Sequence, residues 1–185
     1  MALAVYTKAC EKNVGGNSAV YVAEVANVVS VTETAGEISA ITMDTGKFFH
    51  EIQADLDSVV HTQEGAGTRS NIAYTHRVEM RFAKPSADLN TLRNELAAAS
   101  ACGILAIVTD GNGISWLVGY NSVDKFSRPL YLETDSLNSG AEPSEEDVQA
   151  VTLALVGITG YVSLPFDATL GAGIVGGTAV FITYA

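Results

Sequence analysis

One alternating stretch, Asn71–Phe82, constrains this chain more than any other feature. Ile72, Tyr74, His76, Val78, Met80 and Phe82 share one parity, and Ala73, Thr75, Arg77, Glu79 and Arg81 share the other. Successive side chains of a strand point to opposite faces, so the pattern predicts a strand with one face on a core and one toward water. Strands half-buried in this way belong to antiparallel sheets.

A helix and a hairpin follow at once. Ser86 can cap a helix over residues 86–103, Asp88 falls in its first turn, and Leu89, Leu92, Leu96 and Ala99 recur at helical spacing. Gly103 supplies the stop. Residues 104–108 are a short apolar run, 110–113 (Asp-Gly-Asn-Gly) a turn, and 114–120 a second strand carrying the only tryptophan, Trp116. The leucine face needs a sheet to bury it, so Leu89, Leu92, Leu96 and Trp116 are the predicted structural hub.

Taken in order, residues 1–17 read as an N-terminal arm ending in a glycine hinge at Gly15 and Gly16. Residues 18–34 are rich in Val and Thr and predict one or two strands. Glu37–Met43 predicts another, and 48–54 continues the meander. Residues 57–64 look extended, and 65–71, with Gly65, Gly67 and Arg69, look like a small polar loop. Further strands are predicted over 129–134, 148–158 (with a helix as the alternative there) and 161–166, with an exposed acidic loop over 135–147. Residues 167–185 form a C-terminal arm whose end, 178–184, with Val180 and Ile182, can pair with a neighbouring subunit as readily as with its own sheet. The predicted fold is a single domain over 1–185, mainly β (α+β): an antiparallel β-sandwich or barrel with one flanking helix.

The chain is 185 residues long, enough to bury roughly 70% of its unfolded surface without a staple. Its two cysteines, Cys10 and Cys102, are no disulfide framework, although their spacing leaves a disulfide open; Cys102 in the helix's last turn reads as a buried thiol in a reducing compartment. Ten Lys+Arg against 21 Asp+Glu give a net charge of −11, which argues against a basic nucleic-acid patch but suits a surface past which nucleic acid slides. Only 17% of residues are charged, and a surface short of charge suggests cover by partners. No basic n-region marks a signal peptide, and no apolar run is long enough to cross a membrane as a helix.

No motif carries chemistry. Residues 171–176 spell G-x-G-x-x-G, but no helix former follows and no acidic residue sits at the required distance. His50, His61 and His76 lack metal-ligand spacing, and neither H-x-x-x-H nor C-x-x-C occurs. His76 falls on the apolar face of its strand, where a hydrogen-bonded core histidine is expected. Residues 122–125 match S-x-x-K by letters without its helix or companion motifs. Glu142, Glu145, Glu146 and Asp147 read as a solvated acidic loop, and residues 110–113 lack the calcium ligand ladder. The chain is therefore read as non-enzymatic, with no catalytic residue, cofactor or metal.

The sequence from the long strand onward resembles tail-tube-like virion structural proteins of Bacteroidetes phages, including crAss-like phages. The similarity covers about residues 71–166. It rests on Ile107, Val108, Asp110, Asn112, Gly113, Leu117 and Gly119 in the hairpin, then on Leu155, Gly157 and Pro165. The resemblance implies subunits whose sheets join sideways into a ring, hexameric or of higher order, stacked into a tail. DNA would pass through the lumen without specific binding. It implies other tail, connector or capsid proteins as partners and a place in the virion after synthesis in the host cytoplasm. On this view the subunit interface involves Val5, Tyr6, Gly15, Gly65, Gly67, Arg69, Val180 and Ile182. The alternative is a β-sandwich binding module that takes a sugar or peptide on loops such as 65–71. Turnover would support a third class, a small enzyme.

Overall fold

The computed structural model describes residues 16–52, 54, 58–68, 71–82, 85–139, 150–166 and 181–182. Its strands are β1 (Asn17–Glu24), β2 (Val28–Thr34), β3 (Glu37–Met43), β4 (Phe49–Ile52), β5 (Val60–Thr68) and β6 (Asn71–Phe82). The helix α1 (Ala87–Ser100) comes next. After it run β7 (Ile104–Asp110), β8 (Ser115–Val118), β9 (Tyr131–Asn138), β10 (Ala150–Thr159), β11 (Leu164–Pro165) and β12 (Phe181–Ile182). The described residues are mainly β with a single α-helix, as the residue pattern predicts.

Three sheets form. A six-stranded sheet has the order β11-β8-β7-β1-β4-β12, a four-stranded sheet the order β5-β6-β10-β9, and β2 and β3 make a separate hairpin. Among the described strands every pairing is antiparallel except the short parallel contact of β12 with β4, and an isolated parallel bridge joins Ile38 and Phe166.

The alternation decides the layers. On β6, Val78, Met80 and Phe82 face Val151, Leu153 and Leu155 of β10 across the ladder. These side chains meet Val20, Val22, Ile104, Ala106, Val108 and Val118 of the six-stranded sheet in one core. The opposite face of that sheet packs Leu105, Ile107 and Leu117 against Ile38, Ile41 and Met43 of the β2–β3 hairpin. Strand β7 thus lies in the middle layer, covered on both sides. That is why residues 104–108 form an unbroken apolar run instead of an alternation. The Tyr120 hydroxyl donates to Glu33 Oε1 at 2.6 Å and ties β2 to the β8–β9 connection.

Helix α1 closes the side of the first core. Ser86 Oγ accepts the Leu89 N–H at 3.1 Å, the cap that the sequence signals. Leu89 and Leu96 are buried, while Leu92 is only half-buried and packs on the core's margin. Gly103 ends the helical segment with φ +91°, a left-handed conformation in a crowded place: a Cβ there would lie 2.3 Å from Pro129 Cγ. Leu130 exchanges two backbone hydrogen bonds with Ile104 just beyond.

Three expectations need correction. Residues 65–68 and 71 belong to strands and not to a loop, because β5 continues to Thr68 and pairs residue by residue with β6 down to Thr68↔Asn71; residues 69–70 lie outside the described residues. Likewise β9 runs on to Asn138, so the stretch expected to leave the sheet at 135 keeps pairing with β10 up to Ala150↔Asn138. Cys102 is exposed rather than buried, because it lies past the last helical turn.

Candidate functional site

The two larger sheets treat their edges differently. The six-stranded sheet ends in β11 and β12, each of two residues, so it offers almost no free ladder. The four-stranded sheet ends in β5, of nine residues, and β9, of eight. No described strand pairs with the outer side of either. Strand β5 has no lysine or proline, and its register with β6 is unbroken by a bulge. These are the devices that usually blunt an edge. On β9 one position is met: Ser100 Oγ accepts the Leu132 N–H at 2.8 Å.

The tip of the β5–β6 hairpin, Ala66–Thr68 on β5 with Asn71–Ala73 on β6, extends past the last pairing with β10 at Tyr74. All residues from Thr62 to Thr68 on β5 are exposed, as are Asn71, Ile72 and Thr75 on β6. The Tyr74 ring covers Gly65 across the strand pair, where a Cβ would come within 2.9 Å of it. Around this end of the sheet lie the exposed apolar side chains Ile72, Ile158, Tyr161 and Val162. A free-standing two-stranded ribbon is marginal in water, so it gains by being laid against another surface.

Where the hairpin enters the body it is tied in by polar side chains. Gln63 Oε1 accepts hydrogen bonds from Ser163 N at 2.9 Å and Ser163 Oγ at 2.8 Å. His76 Nε2 lies 2.9 Å from Thr159 Oγ1 and 3.1 Å from the Tyr161 carbonyl oxygen. A carbonyl only accepts, so Nε2 carries the proton and Nδ1 holds the bare lone pair. His61 is a diagonal neighbour on the same face, since it pairs with Val78 and Gln63 pairs with His76. Burial pushes the His61 imidazole down to about 4, with the neighbouring His76 adding to it, and burial lowers His76 too. Both rings are therefore neutral at pH 7.

A second concave feature lies beside α1. A cleft of about 420 Å³ is lined by apolar residues including Val22, Leu92, Leu96 and Ile104, with Glu24, Glu95 and His50 among its polar groups. Among the described residues no three His, Cys, Asp or Glu side chains are grouped to hold a metal, and no helix is long and apolar enough to cross a membrane.

Of the interface residues expected from sequence, Gly65 and Gly67 lie together on the exposed half of β5. Ile182 lies on β12, paired with His50 of its own chain. Val5, Tyr6, Gly15, Arg69 and Val180 lie outside the described residues. In the hub, Leu89 and Leu96 are buried in the core, Leu92 borders it, and Trp116 sits half-buried on β8 opposite Val108. Sequence reasoning missed the His61–His76 pair. The register of β5 on β6, which a glycine-rich stretch obscures, was the missing signal.

The fold and these edges define a layered antiparallel β protein with one flanking helix. No family model, curated protein or solved structure matches the chain.

Proposed function

We propose that the chain is a tail-tube-like structural subunit that assembles through the two long edges of its four-stranded sheet into a ring. One observation carries this reading: the edge strands run in opposite directions. In the order β5-β6-β10-β9 every neighbour is antiparallel, so β5 and β9 are antiparallel to each other. A copy rotated about an axis along the strands therefore sets its β5 antiparallel to this chain's β9. The ladder then continues from subunit to subunit, and such a head-to-tail contact closes into a ring or runs on as a filament. The exposed β5–β6 hairpin adds surface to the same joint.

The remaining features support a conduit. A net charge of −11 keeps DNA from adhering to the assembly. The reading gives the subunit no catalysis and no cofactor, and it places it in a virion beside other tail, connector or capsid proteins. The alternative, a binding module, is favoured by the cleft beside α1, whose volume falls in the usual ligand range of roughly 300–1,000 Å³.

Size measurement separates the two. Purified protein should form a discrete multi-subunit species by light scattering and rings or tubes by electron microscopy. Thr62→Asp with Ala66→Asp on β5 should leave a folded monomer, because charges set on an edge strand oppose a continued ladder. A wild-type monomer whose size responds only to an added sugar or peptide would select the binding module.

A further inference from the structure

We propose that His61 and His76 form an acid-sensitive latch that holds the edge strand β5 on its sheet, so that acidification frees the strand. Two buried ring nitrogens, His61 Nε2 and His76 Nδ1, have no hydrogen-bond partner. His76 is 2% exposed, and its Nε2–H is committed to Thr159 and Tyr161. In the doubly protonated form of either ring, the N–H at His61 Nε2 or His76 Nδ1 has no acceptor, and the second imidazole lies beside it. A buried unpaired charge is among the costliest groups a fold can hold.

No described side chain is placed to offset that charge. On β5 the only carboxylate, Glu64, has the opposite parity to His61 and so the opposite face. On β6 Tyr74 shares the face, whereas Arg77 and Glu79 lie on the other side, bound to each other and to Glu133. The β10 residues opposite, Leu155, Gly157 and Thr159, are neutral, and the following turn contributes Ser163 and the Tyr161 carbonyl. Across the core, β1 presents Val20 and Val22, β7 Val108, and β8 Trp116 and Val118. Asp110, at the end of β7, uses Oδ1 to accept the Asn112 and Ile114 N–H groups. At the core margin Arg93 of α1 and Asp135 of β9 bind each other, while Glu24 of β1, His50 of β4 and Glu95 of α1 line the cleft beside the helix.

The cheapest relief is local. Among the described residues β5 is an edge strand with β6 as its one partner, and its residues from Thr62 to Thr68 are exposed. Peeling it back returns His61 to water at the cost of the β5–β6 ladder and the Gln63–Ser163 contacts, while β7 keeps both of its neighbours. If β5 is also the joint between subunits, the same release opens the ring; that consequence rests on the assembly reading, but the latch does not.

Hydrogen exchange on the full chain, corrected for intrinsic rates, tests it between pH 7 and pH 4.5. Protection of the amides of residues 61–64 should fall about tenfold per pH unit below 6.5, while that of residues 104–108 changes by less than about threefold. His61→Leu should cut the fall on β5 to under about threefold. Parallel loss on β5 and β7, or an unchanged fall in His61→Leu, would overturn the latch. Should that variant not fold, the ring-proton NMR titration of wild-type His61 decides: a midpoint below 5 is expected, and one near 6.5 contradicts the proposal. Exchange and titration are read whatever the oligomeric state, so a protein that proves monomeric leaves this test intact.

Discussion

His61 sets the sign of the molecule's response to acid. An unfolded histidine titrates near 6.5, whereas the folded His61 does so at about 4. Below 6.5 the unfolded chain takes up a proton that the fold refuses, so stability is full above that pH and is lost as pH falls toward 4. The loss approaches ~1.4 kcal/mol per pH unit for one such group, and His76, lowered in the same direction, adds to it. Denaturant unfolding at pH 7, 6 and 5 should show this decline above the range where carboxylates titrate, and a flat profile would contradict it. Gly103 is a second decisive residue. Its φ of +91° and the approach of Pro129 leave no room for a Cβ. Gly103→Ala should cost more than about 1 kcal/mol from the backbone alone, read as a shift in the unfolding midpoint; a cost near zero would mean that the 103–130 contact is looser than described.

Helix α1 divides its leucines in a way that spacing alone does not reveal. Periodicity assigns Leu89, Leu92 and Leu96 to one face, but Leu96 is 4% exposed and Leu92 only half-buried at the mouth of the cleft. Leu96→Ala should therefore cost roughly 2–5 kcal/mol and Leu92→Ala clearly less; equal losses would contradict the packing. Elements whose residues alternate or repeat strongly were legible in the sequence. Glu37–Met43 and Asn71–Phe82 begin and end where the pattern says. Elements that depend on a partner were not. Strand β5 contains Gly65, Ala66 and Gly67, a composition that signals a loop, and only its pairing with β6 makes it a strand. The tail of β9, rich in Ser and Asn, is drawn into the sheet by β10 in the same way. Local propensity is weak for such segments, and cross-strand neighbours decide.

At the scale of the whole molecule, the layer order follows from two patterns visible in the sequence. The alternating β6 has one buried face, and the unbroken run of β7 has two, which places β7 in the middle layer. The candidate site was less legible. Gly65 and Gly67 were picked out as loop residues and prove to lie on an edge strand, which changes how they would meet a neighbour: through a continued ladder rather than a flexible loop. The His61–His76 pair depends on register and had no sequence signature. In the proposed assembly β5 and β9 join copies of the chain edge to edge. Mass measurement of the wild type beside Thr62→Asp/Ala66→Asp, at one concentration and at neutral pH, tests it most directly. Such a joint predicts a closed multi-subunit species for the wild type and a folded monomer for the variant. A wild type that stays monomeric, or a variant that assembles as well as the wild type, would contradict it.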